Sequence, residues 1–523
     1  MKLYRFLLCL ALLGCSSMRK LEAARILGLF QLNAKSHFIM FEALLKGLAA
    51  RGHDVVVLSH FPQKKPIVNY TDINIESSLP QIINTFTLDF AINQHLINLL
   101  YFIWNLNVKF CEKVYEHPEV QRLIKSDEKF DLVITESFGV DCLTAFAHKF
   151  QAPHISMTSS VPMPWSDDAF GNPSHPAYIP IFFLPHTDRM NFQQRLLNTL
   201  LRIGMIFSRY YFAEIPMEQL ARKHLGPDIP SLRAITKNTS LLFTNSHFSL
   251  NIPRPMVPGV VEVGGLHIGV PKKLPKDLEN FIEGAKQGVI YFSLGSLVRS
   301  ETFPEEKLRS FMDAFSELPQ RVVWKTDGIV GLPKNVMTSK WLPQFDILSH
   351  PNVRVFITHG GCMSTQEAVY NGVPMIGIPL YSDQHQNIES CVSKNITVKL
   401  DYYAINKASV LQAIRTVLEN PMYQENAKRL SQIFRDRPQT AMETAVFWTE
   451  YVIRHKGAPH LRSAAVDLYW YQYLLLDVQI FLILIAVTSY LISRLAFRKL
   501  VAILLRCITN KESIKASKLF KSE

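Results

Sequence analysis

The stretch Phe356-Ile-Thr-His-Gly-Gly-Cys-Met-Ser-Thr-Gln-Glu367 reads as an apolar strand that ends at Thr358, turns through Gly360 and Gly361, and opens a helix near Met363. A helix begun this way presents unpaired N–H groups, and glycines let a ligand approach them closely, so the turn is an anion cradle. Working outward, strands are expected at Gly288–Leu294, Arg321–Lys325, Val353–Thr358 and Pro374–Ile378, with a helix over Glu305–Leu318. That alternation is the mark of a parallel sheet. The same order opens the chain: strand Arg25–Phe30, a helix from Phe38 to Ala50 stopped by Gly52, strand Asp54–Leu58, then apolar runs at Phe130–Thr135 and Pro153–Met157. Val270–Pro275 is the linker. The predicted fold class is α/β: two Rossmann-like domains facing a cleft, with ligands at the carboxyl ends of the strands. Residues 162–186, rich in Pro and aromatics, read as a surface loop. Asn191–Phe212 reads as an amphipathic helix carrying Arg195, Arg202 and Arg209, lying on the sheet in preference to a membrane.

Of 523 residues, 48% are hydrophobic and 19% charged, enough apolar material for a sizeable core, so a disordered chain is excluded. The net charge of +12 is concentrated at the ends, with +3 in residues 1–24 and +6 in residues 494–523. A nucleic-acid binder needs its basic stripe on the body, so no nucleic-acid partner is expected. The N-terminus has a basic start, an apolar run from Phe6 to Gly14 and small residues to Ala24, the pattern of a signal peptide. Val478–Ser493 is uncharged and extends through Phe497 if Arg494 snorkels, about the 20 residues a bilayer-spanning helix needs. The basic tail beyond it should stay cytosolic, giving a single-pass type I protein. Asn69, Asn238 and Asn395 each begin a glycosylation triplet. No CxxC pair occurs, so neither a zinc site nor a dense disulfide framework is indicated, and metal ligands are read as none.

The chemistry lies mostly between Trp341 and Gln384. Trp341 offers a flat face to a base. His359, Gly361, Ser364 and Thr365 surround the anion cradle, and Glu367, about a turn into the helix, is able to accept both hydroxyls of a ribose. Asp383 and Gln384 end the next strand segment, placed to hold sugar hydroxyls. No Gly-x-Gly-x-x-Gly follows the first strand, which argues against a nicotinamide oxidoreductase.

This ordered set resembles the signature of the UDP-glycosyltransferase family, in its animal membrane-bound branch and, by texture, its insect members. The resemblance covers nearly the whole chain, including the Asp467-Leu-Tyr-Trp-Tyr471 stretch. It implies the GT-B arrangement and metal-independent transfer of a sugar, with inversion, from a UDP-sugar co-substrate to a small lipophilic acceptor. In keeping with that, the chain has no Asp-x-Asp triplet. By motif, Trp341 and Gln344 would hold the uracil and Glu367 the ribose. His359, Gly361, Ser364 and Thr365 would hold the diphosphate with Ser293, Gly295 and Ser296, and Asp383 and Gln384 the donor sugar. Lys325 stands where vertebrate members often carry arginine. Met363 stands where many members carry asparagine, so the backbone is expected to serve there alone. The implied domains are 1–24 signal peptide, 25–270 acceptor-binding, 276–455 UDP-sugar-binding, 456–475 juxtamembrane, 476–497 transmembrane and 498–523 cytosolic tail.

His37, in Asn33-Ala-Lys-Ser-His37, falls at the start of the first helix, whose positive end favours a neutral ring able to accept a proton. A hydroxyl is a poor nucleophile until its proton has somewhere to go, and a carboxylate behind the ring would fix the tautomer. Glu136 occupies the aligned position of the family's aspartate; Asp141 lies five residues on and is favoured slightly as the aspartate of the pair. The resemblance favours UDP-glucose over UDP-glucuronate, phenols or steroids as acceptors, and the endoplasmic reticulum membrane with a lumenal body. It also allows the plasma membrane and a homo-oligomer. A ceramide-type lipid glycosyltransferase and a catalytically silent UDP-sugar binder share most of these features.

Overall fold

The structure, a computed structural model, describes residues 23–139 and 141–519. Most of the expected signal peptide and the end of the basic tail lie outside the described residues. The chain divides into two units, one up to Ser463 and one from Ala464.

The first unit holds two parallel sheets. One contains β1 (Arg25–Leu29), β2 (Asp54–Ser59), β3 (Tyr70–Asn74), β4 (Leu132–Glu136), β5 (His154–Thr158), β6 (Leu241–Thr244) and β7 (Val260–Glu262), in the order β3-β2-β1-β4-β5-β6-β7. The other contains β8 (Val289–Ser293), β9 (Arg321–Lys325), β10 (Val336–Ser339), β11 (Val353–Thr358), β12 (Met375–Gly377) and β13 (Thr397–Lys399), in the order β10-β9-β8-β11-β12-β13. All pairings within both sheets are parallel. Strand segments buried on both faces are apolar throughout, as Val55-Val-Val-Leu58 and Val289-Ile-Tyr-Phe292 show. In each sheet the order reverses once, between β1 and β4 and between β8 and β11. A crevice opens at each reversal.

Two helices pack into the core of the first half, and the second of them joins it to the other half. The first, Lys35–Ala50, buries Phe38, Phe41, Leu44, Leu45 and Leu48 on the first sheet. The helix Ala441–Arg454, started by a Thr440/Glu443 capping box, follows the second sheet in sequence but packs Ala441, Ala445, Val446 and Val452 into the first half's core. At that crossing a Cβ on Gly47 would lie 2.6 Å from the sulfur of Met442, so a larger residue there would require that flexible side chain to shift.

Two expectations need correction. Residues 162–186 are not merely surface: a short helix, Pro164–Phe170, lies within them, and Ile179, Ile181, Phe182, Phe183 and Leu184 are buried. The Phe192–Arg209 helix buries Asn198, Met205 and Arg209 and leaves Leu196, Leu200, Ile203 and Phe207 exposed, so its apolar stripe faces away from the sheet. Asn198 explains the inversion, since its side chain bonds the backbone at Pro176, Ile179 and Ile181 and must point inward. One disulfide, Cys111–Cys142, ties the long helix Leu96–Glu116 to the segment after β4.

The second unit carries the helix Leu476–Leu519, whose stretch Leu476–Ala516 is long and apolar enough to cross a membrane.

Candidate active site

The residues expected to serve the acceptor sit at the β1/β4 reversal. Leu29 pairs with Thr135, so the chain leaving β1 and the last residue of β4 face one crevice. His37 stands in the first turn of its helix, and Glu136 ends β4 with 1% exposure. His37 Nδ1 lies 2.9 Å from Glu136 Oε1, while the edge of the ring meets Phe138. Burial drives the Glu136 carboxyl up from its ordinary range, and the bond with His37 offsets part of that rise. With Nδ1 engaged, Nε2 has no hydrogen-bond partner among the described residues. An ionised Glu136 fixes the proton on Nδ1 and leaves Nε2 as the basic nitrogen.

Asp141 lies elsewhere. Its carboxylate pairs with Arg209, which also holds Glu214 at 3.0 Å, and Arg233 binds Glu214 at 2.8 Å. The slight preference for Asp141 is therefore corrected: it belongs to a buried ion cluster, and the carboxylate beside His37 is that of Glu136. The reason is geometric, since Glu136 still belongs to the strand and Asp141 has passed beyond the crevice.

The residues expected to hold the UDP-sugar gather at the β8/β11 reversal, where Ser293 pairs with Thr358. The helix Cys362–Asn371 starts at Gly361 without a side-chain cap, leaving its first N–H groups unpaired within the helix. The His359 ring is wedged between glycines. A Cβ on Gly295 or Gly361 would lie 2.6 or 2.7 Å from it, and Gly295 has φ of +80°. Burial, aided by the Lys325 charge, pushes His359 down to about 4, so the ring is neutral at pH 7. Its Nδ1 is buried without a partner among the described residues. Such a nitrogen wants a ligand atom. Lys325, at the end of β9, donates to the Gly295 carbonyl and lies 5.3 Å from the centre of the Trp341 ring. Burial lowers the Lys325 ammonium to about 8. Trp341 is 54% exposed, its face open for stacking.

Gln344 Nε2 donates to Ser364 Oγ at 3.1 Å and to Glu367 Oε2 at 2.7 Å, while His267 Nε2 lies 3.4 Å from Glu367 Oε1. These groups hold one another in a single polar cluster. The Thr365 hydroxyl donates to the Cys362 carbonyl at 2.8 Å. Ser293 Oγ accepts from Gly295 N at 3.2 Å and so shapes the loop, and the Ser296 carbonyl accepts from Asn84 N at 2.7 Å. Asp383 Oδ2 accepts from Asn387 Nδ2 at 2.7 Å. Burial raises the Asp383 carboxyl, and the bond from Asn387 offsets part of that rise. Gln384 Oε1 caps its own loop, accepting from Leu380 N and Tyr381 N.

A protein-family model described as "UDP-glucoronosyl and UDP-glucosyl transferase" matches residues 29–511. The chain belongs to the UDP-glycosyltransferase family. It is 43% identical over 470 residues to UDP-glucosyltransferase 2 of Dactylopius coccus, covering 88% of this chain and 90% of that one. Identity to human UDP-glucuronosyltransferase 2B7 is 33% over 482 residues, covering 87% and 89%. Among solved structures, the spinosyn forosaminyltransferase SpnP superposes with a TM-score of 0.54 at 16% identity, over 83% of this chain and 100% of that one. The calicheamicin glycosyltransferase CalG4 gives 0.53 at 15%, over 83% and 99%. The two-sheet architecture is thus the GT-B fold. This UDP-glycosyltransferase is an enzyme of glucosyl or glucuronosyl transfer, with a UDP-sugar as donor.

Several residues that touch the candidate site were not singled out in the sequence of this UDP-glycosyltransferase. Ser159 Oγ lies 2.9 Å from His37 Nδ1, Asn387 braces Asp383, and Asn84 holds the donor loop. Met363 does more than lend its backbone, since its side chain packs against the core of the first half. No local signal marks these residues. Each meets a partner distant in sequence, apart from Asn387, which sits one helical turn from Asp383.

Proposed function

We propose that this UDP-glycosyltransferase moves glucose from UDP-glucose to a hydroxyl of a small lipophilic acceptor, a phenol or a steroid, with inversion and with His37 as general base. The observation that carries this reading is the pair of His37 Nδ1 and the buried Glu136, which leaves Nε2 unpaired in the crevice. As the acceptor oxygen attacks the anomeric carbon, its proton passes to Nε2, and the imidazolium formed is stabilised by Glu136. The bond from the anomeric carbon to the diphosphate oxygen breaks, and the charge gathering on UDP meets the Cys362–Asn371 helix N-terminus, His359 and Lys325. Trp341 and Gln344 would receive the uracil, Glu367 the ribose, Ser293, Gly295, Ser296, Gly361 and Ser364 the diphosphate, and Asp383 with the Gln384 amide the sugar. Glucose is preferred because the insect relative of 43% identity is named a glucosyltransferase.

The leader, the apolar helix and the basic tail support an endoplasmic reticulum protein with its body in the lumen. Asn69, Asn238 and Asn395, all exposed, are then open to glycosylation. The test is product formation by microsomes offered a phenol panel with UDP-glucose or UDP-glucuronate, beside His37→Ala. Glucoside that disappears in the variant supports both donor and base. Unchanged turnover in His37→Ala would sink the mechanism, and glucuronide alone would overturn the donor.

A further inference from the structure

The four strand ends β1, β4, β5 and β6 lie side by side, and each delivers one residue to a buried polar row. His37 follows β1, Glu136 ends β4, Ser159 follows β5 and Asn245 follows β6, with Thr158 and Thr244 in register. Ser159 Oγ contacts His37 Nδ1 at 2.9 Å. The Ser159 carbonyl accepts from Asn245 Nδ2 at 3.0 Å. The Asn245 carbonyl in turn accepts from Gln366 Nε2 at 2.9 Å. Gln366 belongs to the Cys362–Asn371 helix of the other half, whose first turn is the anion cradle, and its Oε1 accepts from Gly265 N at 3.1 Å. Asn245 and Gln366 are 0% exposed and Ser159 is 8% exposed.

From this row we infer that Ser159, Asn245 and Gln366 are positioning residues: a buried bridge that sets the His37 ring against the donor cradle across the two halves. The inference rests on His37 acting as the base. The bridge has a defined length and polarity. Gln366 spans two backbones with both ends of its amide, so the cradle helix cannot slide along the first sheet without breaking a buried bond. Asn245 reads both halves, taking its N–H to the carbonyls of Thr158 and Ser160 and giving its own carbonyl to Gln366. Ser159 gives Nδ1 a second oxygen beside that of Glu136, which restrains rotation of the ring about the single carboxylate bond. Transfer requires reacting atoms aligned to a fraction of an ångström, so loosening the bridge slows the chemical step without removing any group that touches substrate. The effect is distinct from loss of a phosphate or base contact.

The test uses full-length enzyme in microsomes with UDP-glucose and an accepted phenol, comparing Ser159→Ala, Ser159→Thr, Gln366→Met and the double variant Ser159→Ala/Gln366→Met, with His37→Ala as the control. Expected are falls in kcat of roughly 5- to 50-fold in Ser159→Ala and Gln366→Met, with UDP affinity within twofold, and recovery in Ser159→Thr. The double variant should lose less than the product of the single losses. A readout independent of turnover is carbethoxylation of His37 by diethyl pyrocarbonate, followed by mass spectrometry of its peptide. UDP should change that rate in wild type, and the change should vanish in Gln366→Met. Unchanged kcat, fully multiplicative losses, a parallel loss of UDP affinity, or a UDP effect that survives Gln366→Met would overturn the bridge. Full activity in His37→Ala fails the base assignment instead and removes the bridge with it.

Discussion

Replacing Glu136 with glutamine separates catalysis from folding in opposite directions. The amide oxygen of the new side chain can still accept from His37 Nδ1, so the ring stays oriented while the negative charge goes. A full imidazolium about 4 Å from a carboxylate gains about 4 kcal/mol at an effective dielectric of about 20. With the proton roughly half transferred in the transition state, about 2 kcal/mol is lost, or about 30-fold in kcat. Stability moves the other way. The Glu136 carboxyl is raised above its unfolded value by burial, so its contribution is fully present below the unfolded pKa and is lost as pH rises through the folded one. At pH 7 the ionised group therefore weighs against folding, and Glu136→Gln should melt at the same temperature or higher. The assay is kcat for glucoside formation set beside a thermal melt of the same preparation. Turnover within threefold of wild type would refute Glu136 as the partner of His37. Asp141→Asn should behave in the reverse manner, unfolding earlier because it breaks a buried ion cluster worth about 3–5 kcal/mol when one member is removed. A kcat loss in Asp141→Asn without a change in melting would return Asp141 to the site.

Gly295→Ala should weaken UDP binding at least tenfold, because its Cβ would fall 2.6 Å from the His359 ring at a φ of +80°; titration calorimetry with UDP reads it, and unchanged affinity would mean the wedge yields. Lys325, lowered to about 8, is charged below that pH and neutral above it, so UDP affinity should fall between pH 7 and 9. Lys325→Arg should flatten that fall, and an identical profile in the variant would exclude Lys325 as its source. Opening the Cys111–Cys142 bridge by Cys142→Ala frees a loop with a sequence separation of 31, which chain entropy equates to about 3.7 kcal/mol. The melting temperature should drop by several degrees, and a drop under one degree would refute the entropic account.

What was legible in the sequence is what is local. The βαβ alternation needs only periods of two and about four residues, and Phe356–Glu367 states its strand, turn and helix within twelve consecutive positions. The donor residues inherit that clarity, because Ser293 and His359 end neighbouring strands and fall together once β8 and β11 are paired. The Phe192–Arg209 helix was less legible. Its periodicity marks an apolar stripe, but which face turns inward was decided by Asn198 and by Arg209 in the Asp141–Glu214 cluster. Side-chain amides that saturate backbone groups carry no periodic signal, so a pattern of hydrophobicity assigns the wrong side.

The carboxylate beside His37 shows the same boundary at closer range. Glu136 and Asp141 are five residues apart, and residue type favoured the aspartate. Position settles it differently. Glu136 is the last residue of β4, one position beyond the Leu29–Thr135 pair and paired with Met157 of β5, so the sheet holds it at the crevice within reach of His37. Asp141, released from the sheet, is free to meet Arg209, and since Arg209 and Arg233 share the single carboxylate of Glu214, the carboxylate of Asp141 balances the remaining charge. Strand register thus outranks side-chain identity in choosing the partner. The longer glutamate also fits the role, since its extra methylene carries the carboxylate from the strand end to an imidazole on the opposing helix.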